Sequence, residues 1–165
     1  MESHAKVLGH PLHQQLIPFP LGLLGTALAF DLIDALGGSE ALGQAAHYMI
    51  AAGVLTGLLA AVPGAIDWLN IPDGTRAKRI GTIHGLGNVA IVVLFAIAWL
   101  ARRDDAADPG ALILALEVIA VLGAVGTGWL GGELVDRLAV GVDRGAHLDA
   151  PSSLSGRSAR ELSPR

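Results

Sequence analysis

Four long apolar runs constrain this chain more than anything else in it. They cover about residues 17–36, 45–69, 80–100 and 111–130. Each is close to the roughly 20 residues that an α-helix needs to cross the hydrocarbon core of a bilayer. All four are apolar around most of their circumference, as helices facing lipid should be. Strands suit them poorly, because no run alternates polar and apolar residues over any length. The expected fold is therefore all-α: an integral membrane bundle of four transmembrane helices, with an interfacial segment ahead of the first. Residues 1–145 form this domain, and residues 146–165, rich in Pro, Ser and Arg, read as a mobile cytoplasmic tail.

The connections agree with that division. Gly37-Gly38-Ser39 closes the first run, Asn70-Ile71-Pro72-Asp73-Gly74 the second, and an acidic stretch ending at Pro109 leads into the fourth. Ala27-Leu28-Ala29 has the look of a signal-peptidase site. However, Lys6 is the only base ahead of it, and Pro18 and Pro20 interrupt the leader, so this segment is read as the retained first span. With four spans, both termini and the connection between the second and third lie on one side. That side holds Lys6, Arg76, Lys78, Arg79, Arg137, Arg144, Arg157, Arg160 and Arg165, against Arg102 and Arg103 on the other. The positive-inside rule then places both termini in the cytoplasm of a bacterial inner membrane.

Cysteine is absent, which excludes thiolate metal sites, iron–sulfur ligation and covalently attached haem. There is no basic stripe with interleaved aromatics, so nucleic acid is not an expected partner. Gly53, Gly57, Ala60, Ala61 and Gly64 in the second run, and Gly123, Gly126, Gly128, Gly131 and Gly132 in and after the fourth, let helix backbones approach closely. Packing within the bundle is the first expectation from them, and a homo-oligomer through these Gly-rich helices is the alternative.

Ionisable residues at membrane depth are costly and usually face the bundle interior. One layer lies toward the termini: His10 and His13 before the first span, Asp67 at the end of the second, His84 and Asn88 in the third, Glu133 and Asp136 after the fourth. His10 and His13 would share a face if a helical turn follows Pro11, and His84 and Asn88 share one by their spacing. Imidazoles and carboxylates from every span can thus converge on one point. That donor set suits zinc, iron, manganese or copper, with His10, His13, Asp67, His84 and Glu133 as ligands. Two imidazoles, with His13, His84 and Asn88 at the site, could instead hold a haem b iron. The plainer alternative is a set of hydrogen-bonded histidines at helix ends. A second layer lies toward the opposite side: Asp31, Asp34, His47 and Glu117. His47 is the expected partner of Asp31 or Glu117, in either a buried cluster or a proton relay.

Several motifs occur in order: Gly9-His10-Pro11-Leu12-His13, Pro18-Phe19-Pro20-Leu21-Gly22, Phe30-Asp31, Ala60-Ala61-Val62-Pro63-Gly64-Ala65-Ile66-Asp67-Trp68, His84 with Asn88, and Gly131-Gly132-Glu133-Leu134-Val135. Together they resemble the bacterial membrane family known as domain of unknown function 2231, up to about Val142. The resemblance implies a small four-span protein and carries its pattern onto His10, His13, Asp67, His84 and Glu133. Some relatives have histidine where this chain has Glu133, and some are fused to Rieske-type iron–sulfur domains, which implies redox work. This chain departs at Gln14, Pro18 and Asp136, which bears on how many ligands the site has. The resulting expectation is a redox or metal-binding subunit whose electron partner is a separate protein or a larger membrane complex. The alternatives are a proton or metal-ion translocating protein and a structural subunit. No nucleophile–base pair, phosphate loop or zinc-protease signature argues for an enzyme.

Overall fold

The computed structural model describes residues 1–162. The chain opens with a small antiparallel hairpin, β1 (Lys6–Val7) and β2 (His10–Pro11), turned by Leu8 and Gly9, both at positive φ. A short helix α1 (Leu12–Leu16) leads into α2 (Pro18–Ala35), and the two make a first span of 24 residues. Three more spans follow: α3 (Glu40–Leu69), α4 (Arg76–Ala101) and α5 (Gly110–Gly132), the last prolonged by a π-helical turn, Glu133–Arg137. All four spans are long and apolar enough to cross a membrane, so the all-α membrane bundle expected from the sequence is present.

The helices overrun the apolar stretches. α3 begins at Glu40 because Ser39 caps it, accepting from the amide of Ala41, and Thr75 caps α4 through the amide of Lys78. Pro109 precedes α5, whose first residue Gly110 has φ +64°. An apolar run marks the thickness of the bilayer, whereas a helix stops where its caps are.

α2 packs along α3 and α4 along α5, and contacts between α3 and α4 and between α2 and α5 close the bundle. Its apolar centre is Leu24, Ala27, Ala46, Ile50, Ile91, Phe95 and Ala120. Two of the small residues act inside it. A Cβ on Gly53 would sit 2.5 Å from Leu24 Cδ2, and one on Gly57 would sit 3.2 Å from Val92 Cγ2, so these glycines take side chains of neighbouring helices.

The N-terminus and the segment that follows α5 lie together at one end of the bundle. The amino group of Met1 donates to the carbonyl of Ala139 (2.7 Å), and the Gly141 amide donates to Met1 (2.8 Å). Within residues 146–162 there are only turns and one 3-10 turn, Ser153–Ser155, which brings Ser153 Oγ to 3.3 Å from His10 Nε2. Arg165, counted among the bases above, and the rest of 163–165 lie outside the described residues.

Candidate functional site

The layer nearer the termini is divided among three places. His13 and His84 come together, with ring centres 6.5 Å apart and ring planes at 89°. His10 does not join them. It sits in β2, not on the helical turn that carries His13, and it is exposed. Asp67 lies at the right depth but is occupied by the N-terminal segment. It accepts from Ser3 Oγ (2.9 and 2.7 Å) and from the amides of His4 (2.7 Å) and Ala5 (3.3 Å). Glu133 is paired with Arg76 at 2.6 Å. Among the described residues, no three His, Cys, Asp or Glu side chains converge as a metal-binding group.

The two central histidines are held by the same device. His13 Nδ1 lies 2.7 Å from the carbonyl of Ala60, and His84 Nδ1 lies 2.8 Å from that of Thr127. A carbonyl only accepts, so Nδ1–H is the donor in both rings, and Nε2 is the nitrogen free of the anchoring bond. Each carbonyl is followed four residues later by a glycine on the same helix face. A Cβ on Gly64 would stand 2.8 Å from His13 Cε1 and Nδ1, and one on Gly131 would stand 3.2 Å from His84 Cε1. The missing side chain forms a notch through which the imidazole reaches the backbone. Pro63, buried within α3, lacks the amide that would bond the Leu59 carbonyl, one residue before the carbonyl that His13 uses.

Asn88 completes the group. Its Nδ2 donates to His84 Nε2 (3.1 Å) and to the His84 carbonyl (2.9 Å), while Thr127 Oγ1 donates to Asn88 Oδ1 (3.1 Å). Because the two nitrogens of an imidazole diverge, each Nε2 points away from the helix that anchors its ring. The site thus offers two imidazoles fixed through Nδ1, with their second nitrogens directed away from α3 and α5.

At the other end of the bundle the partner expected for Asp31 is corrected. Asp31 is paired with Arg102, not with His47. The guanidinium grips its carboxylate with Nη1 at 2.7 Å and Nη2 at 2.9 Å, and Nη1 lies 3.5 Å from Glu117 Oε1. Nη2 also meets the carbonyls of Gly43 (3.0 Å) and Ala106 (2.8 Å). Asp31, Arg102 and Glu117 are all buried. His47 instead stacks on Trp99, with ring centres 5.8 Å apart. The sequence puts Arg102 just past the third run and counts it only among the bases of that side. The pointer to its role is that two intramembrane carboxylates, Asp31 and Glu117, need a base at their own depth.

The family model described as predicted membrane protein, DUF2231, matches residues 9–144. The chain belongs to this family. No curated protein and no solved structure matches it. The region matched to DUF2231 contains both histidine notches, Asn88, Asp67, Glu133 and the whole Asp31–Arg102–Glu117 cluster. The Pro63-Gly64 and Gly131-Gly132 steps, which the sequence offers as packing motifs, are where the notches for His13 and His84 lie.

Proposed function

We propose that this protein is a membrane redox subunit that holds a haem b iron between His13 and His84. The observation that carries the reading is the matched pair of imidazoles, each with Nδ1–H fixed on a main-chain carbonyl and Nε2 left as the ligand atom. That outer hydrogen bond is the usual way a protein orients a metal-binding histidine. A metal bound by two imidazole nitrogens at about 2 Å each sets the ring centres roughly 6 Å apart, and the observed separation is 6.5 Å. A bare zinc ion takes four ligands, and Asp67, Glu133 and His10 are engaged elsewhere, so two protein ligands suit a porphyrin better than an isolated ion. Binding requires Asn88 to release His84 Nε2. Haem would supply one-electron chemistry; the chain itself fixes both imidazoles through their Nδ1 bonds.

The same reading places both termini in the cytoplasm of a bacterial inner membrane. With Arg102 buried, Arg103 is the one other base between α4 and α5, against Arg76, Lys78, Arg79, Arg137 and Arg144 at the termini. The electron partner is then a cytoplasmic redox protein or a complex reached from that side.

The test is haem and metal content of detergent-purified protein from cells supplied with iron and a haem precursor. Near-stoichiometric haem, lost in His13→Ala and in His84→Ala, is the expected result. Purification with neither haem nor a transition metal would refute the proposal, and one tightly bound non-haem ion would replace it with a simple metal site. A reporter fused to the C-terminus that signals from outside the cytoplasm would reverse the orientation.

A further inference from the structure

We propose that Glu117 is a buried proton-binding site, kept as a neutral carboxylic acid against the ionised Asp31–Arg102 pair. The cluster brings two carboxyl groups to one guanidinium, and Arg102 is not shared equally between them. Asp31 takes both ends of the fork at 2.7 and 2.9 Å, while Glu117 Oε1 stands at 3.5 Å. The rest of Nη2 is directed to the Gly43 and Ala106 carbonyls. A second carboxylate would leave a net negative charge inside the membrane with little to hold it, and an intramembrane charge of that kind is costly. A proton on Glu117 removes it.

The unpartnered atoms point to the same place. Among the described residues, three buried side-chain nitrogen or oxygen atoms have no hydrogen-bond partner: Glu117 Oε2, Arg102 Nε and His47 Nδ1. As a carboxylate oxygen, Oε2 would be an unpaired buried anion; as a hydroxyl it is a neutral group whose burial costs far less. The other charged or titratable groups facing the cluster are Asp31 and Asp34 on α2, His47 on α3 and Arg102 at the end of α4, while Glu40, Tyr48, Arg103 and Asp104 at the same end are exposed. Asp105 and Asp108, in the connection, spend their carboxylates on amides of that connection. Between this cluster and His13 lies the apolar layer of Leu24, Ala27, Ile50, Ile91 and Phe95. The proton therefore exchanges with the side away from the termini.

The deciding measurement is infrared spectroscopy of the intact protein in lipid at neutral pH, on the wild type. The expected signal is one carboxylic-acid carbonyl band that moves when glutamate is labelled with carbon-13 and stays when aspartate is labelled. Glu117→Gln, which mimics the neutral acid, should remove the band, and Asp34→Asn should not. A spectrum with no such band, or a band that follows labelled aspartate, would overturn the assignment without relying on any variant folding.

Discussion

The two polar layers of this bundle solve the same problem by opposite means. Toward the termini, His13 and His84 are single imidazoles bonded to main-chain carbonyls, and each depends on a glycine that lets its ring approach. At the other end, Asp31, Arg102 and Glu117 are ionisable groups bonded mainly to one another. A neutral hydrogen bond to backbone leaves part of the ring available for something else. A buried ion pair spends its groups on mutual compensation. The first layer is thus the one with atoms to offer a ligand, and the second ties the helix ends together and has only a proton to exchange.

The largest expected effect comes from breaking the charged layer. Arg102→Met would leave Asp31 buried without a counter-charge, and removing one partner of a buried pair costs about 3–5 kcal/mol. Thermal unfolding in detergent should show the loss. Asp31→Asn combined with Arg102→Met should recover much of it, because the stranded charge is gone. A single variant as stable as the wild type would mean that the layer is wetter and weaker than its burial implies.

That contrast also explains what was legible beforehand. The four spans are written directly in the composition of the runs, because the bilayer leaves a helix few alternatives. Depth was legible too: at about 1.5 Å per residue, His13, Asp67, His84 and Glu133 do fall toward one end. Depth does not give direction around a helix, though, and Asp67 and Glu133 at that end turn to Ser3 and Arg76. Side chain-to-backbone contacts leave no periodic trace, so Gly64 and Gly131 read as packing residues when they are also docking notches. Arg102 was missed for a different reason. It stands one residue past the apolar run, where a base is ordinarily solvated, and only the unmet charges of Asp31 and Glu117 call it inward.

The next effect is graded and tests the notches. Gly64→Ala would set a methyl 2.8 Å from the His13 ring, and Gly131→Ala would set one 3.2 Å from that of His84. Overpacking of this kind costs about 1–3 kcal/mol, and the tighter Gly64 site should lie above Gly131 in that range. Nitrogen-15 NMR of the imidazoles should show the Nδ1–H signature of His13 disturbed in the first variant and that of His84 in the second. Equal and negligible shifts would place the rings elsewhere and remove the common device from the comparison.

The smallest effect is the most informative about the histidine layer. Asn88→Ala removes the donor on His84 Nε2 (3.1 Å) and on the His84 carbonyl (2.9 Å), and the acceptor for Thr127 Oγ1 (3.1 Å). Thr127 Oγ1 keeps a second acceptor, the Ala124 carbonyl at 3.2 Å, and His84 keeps its Nδ1 anchor, so the net loss should be only about 1 kcal/mol. If Asn88 guards a ligand nitrogen, the variant should become slightly less stable but bind haem more tightly in titrations of the purified protein. If Asn88 is instead needed to orient His84, stability and haem binding should fall together. The sign of the affinity change, more than its size, then decides whether Nε2 of His84 is a ligand held in reserve or one more atom in a hydrogen-bonded core.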